Sequence, residues 1–224
     1  MIKTGAKKPS GGCDAVKTAF LLDRIPIPDI FHTQMRMLAI AALSCLFVTG
    51  CPRGASEIVG ETPQQRLDQA ISDLATAKTD KERFYALDGA AKLSFEMGKI
   101  EEARKYAQEL HALLPQFDGD WNYGNAIQDT NLVLGRIAWR EGRVDDAKRY
   151  LIEAGNSPGS PQMNSFGPNM SLAKEMLEKG EGETVLKYFE LCRKFWIMDR
   201  GRLDDWSNDV KVGRIPDFGA NLLY

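Results

Sequence analysis

The sequence predicts an all-α fold: a short stack of helix hairpins, with capping helices at the ends and loops inserted between the pairs. Three observations carry that expectation. A glycine-led phrase recurs, first as Gly98-Lys-Ile-Glu-Glu-Ala-Arg-Lys-Tyr106 and then as Gly142-Arg-Val-Asp-Asp-Ala-Lys-Arg-Tyr150, with a degenerate copy running from Gly180 to Tyr188. Small and apolar residues stand at matching distances on both sides of each glycine. No segment longer than a few residues alternates with the two-residue period of a strand.

The elements follow in chain order. Residues 1–34 mix a Lys/Gly/Ser start with Ile25-Pro26-Ile27-Pro28 and show no sustained period, so they are expected to be a misassigned start or a leader. Residues 35–50 place Arg36 before an apolar run from Met37 to Val48, the order of charge and hydrophobic core in a signal peptide. That run is shorter than the roughly 20 residues needed to span a bilayer. It closes on Val48-Thr49-Gly50-Cys51, which resembles the lipobox of bacterial lipoprotein precursors. The resemblance implies cleavage before Cys51 and lipidation of its thiol. Pro52, in place of an inner-membrane retention Asp, points to an outer-membrane, periplasm-facing anchor in the cell envelope. Residues 51–62 are expected to be a tether and 63–224 the helical domain.

The domain should open with a helix over about 64–78, whose Leu67, Ala70, Ile71, Leu74 and Ala77 share one face. At the three turn glycines, a left-handed residue closes one helix without the steric penalty of a Cβ. The acidic pairs Glu101-Glu102 and Asp145-Asp146 then fall in the first turn of the next helix, where negative charge meets the positive dipole end. That explains paired carboxylates better than acid–base catalysis does. Gly201-Arg-Leu-Asp-Asp-Trp206 echoes the same opening and predicts a last helix over about 203–212. The apolar C-terminus is expected to dock on the last helices.

The spacing around the glycines resembles the tetratricopeptide repeat, a helix–turn–helix unit of about 34 residues. The matching positions are Ala91, Ala103, Ala107, Leu110 and Pro115 around Gly98; Gly135, Ala147, Leu151 and Ala154 around Gly142; and Ala173, Val185, Phe189 and Cys192 around Gly180. The match spans residues 84–197. It departs from the family where a large early residue is Leu87, then Asn131, then Asn169, and where the turn glycines stand 44 and 38 residues apart, which requires inserted loops. Residues 130–224 also resemble a group of bacterial proteins sharing segments like Asn164–Asn169 and Phe218–Leu222, a likeness that supplies no activity.

The resemblance implies a protein or peptide partner held in the groove of the stack. Lys92, Arg136 and Lys174, each six residues before a turn glycine, and Arg140, one turn beyond Arg136, are the groove candidates. Such a row suits a carboxylate or an acidic segment. Trp121 and Tyr123 in the loop 116–125, with Asn164 and Phe166 in the loop 155–171, are candidates for edge-loop binding. The same rings would equally serve to seal joints between helix pairs.

Other chemistries find little support. Removing the six basic and three acidic residues of 1–50 from the chain's 29 and 31 leaves 23 basic against 28 acidic, so a nucleic-acid partner is not expected. Asp118, Asp120, Asn122 and Asp129 have calcium-loop spacing, but Tyr123 stands where the sharp turn needs glycine, and no metal is assigned. Beyond Cys51 the chain has a lone thiol, Cys192, and one histidine, His111. A pair between them is conceivable, but each position has a packing or dipole role. No motif for a nucleophile, a phosphate loop or a zinc site occurs, so no catalytic residue and no cofactor is assigned. The expected function is a lipid-anchored envelope scaffold that binds a protein or peptide without catalysis. The alternatives are a hydrolase or carbohydrate-active protein built on Asp118, Asp120 and Asp129, or a self-associating structural subunit.

Overall fold

The computed structural model describes residues 61–223. The leader, the signal segment, Cys51 and most of the tether lie outside the described residues. Among those described there is no strand; the expected all-α class holds.

Helix α1, Pro63–Thr76, starts at Thr62, whose side chain accepts from the Gln65 amide while Gln65 reaches back to the Thr62 N–H. Helix α2, Asp80–Glu96, starts in the same way with Thr79 and Glu82. These reciprocal caps satisfy two amides that have no partner inside the helix. Then come α3 (Ile100–Leu113), a 3₁₀ turn at Leu114–Gln116, α4 (Tyr123–Arg140) and α5 (Val144–Gly155). Short α6 (Pro161–Phe166) and α7 (Ser171–Leu177) precede α8 (Gly182–Cys192), α9 (Arg202–Lys211) and a final 3₁₀ turn at Gly219–Leu222.

The turn glycines behave as the repeated phrase requires. Gly98, Gly142 and Gly180 have φ of 73°, 75° and 86°. At each, the next residue donates back across six residues: Lys99 to the Ser94 carbonyl, Arg143 to Ala138 and Glu181 to Met176. This is the Schellman closure, which satisfies carbonyls orphaned at the helix end. Glu101-Glu102, Asp145-Asp146 and Asp204-Asp205 then occupy first turns of α3, α5 and α9. The paired carboxylates are helix starts.

Helix α4 organises the domain. It packs on α2, α3, α5 and α7, while α1 lies on α2, α8 on α5 and α7, and α9 on α8. Twelve of the 18 residues of α4 are buried, which is what a helix surrounded by others must show. Gly135 makes a tight joint with α5 and α7: a Cβ there would lie 2.5 Å from Leu172 Cδ2 and 3.0 Å from Tyr150 Cβ. The repeat-spaced residues Ala91, Ala103, Ala107, Leu110, Ala147, Leu151, Ala154, Ala173, Val185, Phe189 and Cys192 are all buried. Of that set only Pro115 is exposed.

The core falls into neighbouring clusters. One holds Leu74, Phe84, Leu87, Leu110 and Ala126, with Phe84 and Phe117 stacked 4.3 Å apart. A larger one holds Leu151, Met176, Tyr188, Phe189, Trp196 and Trp206. The C-terminus docks as expected, with Phe218 4.9 Å from the Trp206 ring and 6.2 Å from Phe189.

Some boundaries differ from the sequence expectation. The first helix stops at Thr76 rather than near 78, because Ala77 already has an extended ψ of 123°. The stretch 155–171, expected as loop, contains α6. Ser160 accepts from the Met163 amide and Pro161 takes the first helical position, a start signal that the surrounding prolines and glycines obscured.

Candidate functional site

Two helices set the back wall of a cavity of about 480 Å³. Asp88 and Lys92 stand one turn apart on α2, so they share a face. Asn122, Asn125, Gln128 and Asp129 recur every three or four residues through the start of α4 and share its facing side. Residues 162–169 give one flank, and Arg202 with the turn 220–223 gives the other.

At the back, Lys92 Nζ lies 2.8 Å from Asp88 Oδ2 and 2.8 Å from Asp129 Oδ2. Burial works against the Lys92 charge, but the two carboxylates outweigh it and hold the ammonium protonated well above the usual lysine range. Burial is also the main influence on Asp129, raising its carboxyl against the attraction of Lys92, and Asp88 adds to the rise. Asp88 Oδ1 is buried with no hydrogen-bond partner.

Carboxamides hold the walls together. Gln128 Oε1 accepts from the Asn169 amide at 3.2 Å, Gln128 Nε2 donates to Tyr188 Oη at 3.3 Å, and that hydroxyl donates to the Asn169 carbonyl at 3.0 Å. Asn169 Oδ1 accepts from the Ser171 amide at 2.7 Å, while its Nδ2 is buried and unpartnered. Asn125 donates to Asn122 Oδ1 at 2.8 Å and accepts from Ser160 Oγ at 2.6 Å. The loop beside it presses so close that a Cβ on Gly124 would sit 1.9 Å from the Gly159 carbonyl oxygen.

Asn221 locks the opposite wall. Its Nδ2 donates to the carbonyls of Phe166 and Pro168 at 3.0 and 2.9 Å, and its own carbonyl accepts from the Met170 amide at 2.7 Å. Gly167, at φ 91°, passes so near Trp196 that a Cβ would fall 2.5 Å from the indole. Arg202 lies over the same indole, its Cζ 4.9 Å from the ring centroid, and its Nε donates to the Asp199 carbonyl at 3.1 Å. It makes no ion pair among the described residues.

The cations expected to form one row have separate surroundings. Lys92 is in the cavity wall, within its ion pairs. Arg136 binds Glu175 through Nε and Nη2 at 2.9 and 2.6 Å and lies 4.6 Å over the Phe95 ring; Arg140 covers that ring at 4.0 Å. Lys174 is half-buried near the end of α7. Intramolecular contacts thus engage three of the four, a pairing that periodicity alone did not reveal.

The edge-loop residues also divide. Phe166, 75% exposed, stands at the cavity, and Asn164 accepts from the Ile197 amide at 3.1 Å. Trp121 is 55% exposed and stacks 5.9 Å from Tyr85, away from the cavity, while Tyr123 packs against the first core cluster. The calcium-loop residues do not converge. Asp118 is exposed; Asp120 accepts from Tyr85 Oη at 2.7 Å and the Asn122 amide at 2.9 Å; Asp129 faces Lys92. Among the described residues no cluster of three or more His, Cys, Asp or Glu is placed to hold a metal. Cys192 is buried, and burial pushes its thiol far up against the opposing pull of a hydrogen bond with Tyr188, whereas His111 is exposed at the end of α3.

Asp88, Asn125, Gln128, Asn169, Arg202 and Asn221 were not singled out as binding residues by sequence. The available signal was indirect: polar side chains at helical spacing on the otherwise apolar α4, and the segments 164–169 and 218–222, which the fold brings together through Asn221. The chain matches no family model, no curated protein and no solved structure.

Proposed function

We propose that this chain is a binding scaffold whose stacked helix pairs are tetratricopeptide-like and whose cavity engages a peptide or protein segment. The single observation that carries this reading is the carboxamide-rich cavity between α2, α4, α6 and the C-terminal turn. A carboxamide both donates and accepts, so it matches the N–H and C=O groups of a peptide. Ligand sites are concave, of this size, and built on rigid elements with few directed polar groups. The repeat reading draws support from the packing of α2 on α4 and α4 on α7, the first helices of successive pairs. Its groove contacts are Asn125, Asn169 and Phe166 at the cavity, with Lys92 as part of the charged back wall. No catalytic residue is assigned.

The second half of the proposal is the anchor: lipidation at Cys51 holds the scaffold at the bacterial envelope, facing the periplasm. Two measurements test the whole. A photo-crosslinking residue at Phe166 in native cells should trap a discrete partner that the same residue at exposed Lys187 does not. Equal trapping at both positions, or none at Phe166, refutes the cavity as the docking site. Mass analysis of the native N-terminus should find acylated Cys51 as the first residue; an unmodified Cys51 removes the anchor.

A further inference from the structure

We infer that the cavity selects a small zwitterion of the amino-acid or short-peptide class, its ammonium at Asp88 and Asp129 and its carboxylate at Arg202. The inference rests on the cavity being the binding site and adds the chemistry of what enters it.

The charges on the walls are separated. At the back, two carboxylates share one lysine, each 2.8 Å from it, so the cluster holds one negative charge in excess when both are ionised. Asp88 Oδ1 is buried there without a donor, a state that costs free energy until a donor arrives. A ligand ammonium supplies both the donor and the opposite charge. On the other flank, Arg202 carries a positive charge with no carboxylate among the described residues. Its stacking on Trp196 and its bond to the Asp199 carbonyl fix the guanidinium plane, while Nη1 has only a 3.5 Å contact with Asn221 Oδ1. A fixed guanidinium fork with free N–H groups is matched by a planar carboxylate. Asn169, in the same lining, keeps a buried Nδ2 with no acceptor.

An internal segment of a long polypeptide is a poor fit to this arrangement. Its backbone is neutral, so seating it would desolvate both charged poles and compensate neither. A molecule with a free ammonium and a free carboxylate compensates both. The cavity, at about 480 Å³, falls within the roughly 300–1,000 Å³ of small-ligand sites, which suits a short peptide or a free chain end.

The test is calorimetric titration of the full chain with tri-alanine, N-acetyl-tri-alanine, tri-alanine amide and free alanine at pH 7 and low salt. Tri-alanine should bind, and blocking either end should weaken binding at least tenfold; the strength of alanine relative to tri-alanine tells an amino acid from a peptide as the preferred ligand. Arg202→Gln should abolish the preference for a free carboxylate and keep the preference for a free amine, and Asp88→Asn should do the reverse. Blocked peptides that bind as tightly as tri-alanine overturn the inference and leave the peptide-binding reading intact. No heat from any of these probes at millimolar concentration also overturns it; if Phe166 crosslinks a partner all the same, the scaffold reading survives alone. The wild-type comparison with blocked peptides decides the matter even if a variant does not fold.

Discussion

Replacing Asn221 with alanine tests whether the C-terminal turn is a structural wall of the cavity. The side chain is 6% exposed and donates to two backbone carbonyls, Phe166 at 3.0 Å and Pro168 at 2.9 Å. Alanine leaves both acceptors without that donor. A buried polar group deprived of its partner costs about 1–3 kcal/mol. Two such groups give about 2–4 kcal/mol, since water can reach part of the gap from the cavity side. For a domain of this size 1 kcal/mol moves the midpoint by about 2–4 °C, so the predicted fall in Tm is about 5–15 °C. Differential scanning calorimetry of wild type, Asn221→Ala and Asn221→Asp reads it directly. The aspartate variant is the control, because it keeps the shape and removes the donors, and it should fall at least as far as alanine. If both variants melt within about 2 °C of wild type, the turn is not held by these bonds and the cavity wall as described is wrong.

Two further outcomes follow from the buried ionisable groups. The carboxyl of Asp129 is raised to about 7 in the folded chain, so folding favours its protonated form. Its contribution to stability is present in acid and is lost as pH rises from the ordinary carboxylate range through about 7; urea midpoints should therefore fall over that window in wild type and fall less in Asp129→Asn, and a steeper fall in the variant would contradict the assignment. Burial holds the Cys192 thiol protonated, so native protein at pH 8 should leave the Cys192 peptide unlabelled by iodoacetamide while urea-unfolded protein labels it fully, as mapped by mass spectrometry. Rapid labelling in the native state would place Cys192 at the surface.

The helices and their turns were legible in the sequence because their causes are local. A left-handed glycine, an acidic pair in the next first turn and small residues at helical spacing lie within a dozen residues of one another, and each repeats along the chain. The same locality explains what was missed. The Ser160-Pro161 start of α6 was lost among neighbouring Pro and Gly, and the end of α1 moved because a single residue's ψ decides it.

The site was a different matter. Sequence named Lys92 and Arg136 as groove candidates by their place on helices before the turn glycines. The Asp88–Lys92 pair is local, one turn apart on α2, but the sequence held no information on Asp129 reaching Lys92 or on Glu175 reaching Arg136, since those pairs cross between helices 37 and 39 residues apart. Nor did spacing separate Phe166, which lines the cavity, from Trp121, which stacks on Tyr85 outside that lining. By itself, the sequence determined that helices form, where the repeated glycine turns fall and which faces seek cover, because propensity, capping and periodicity act over a few bonds. Only the tertiary structure decided which polar groups meet. That depends on how close the segments can come, and glycines set three of those distances by having no side chain: Gly124 against Gly159, Gly135 against Leu172 and Tyr150, and Gly167 against Trp196 and Asn221.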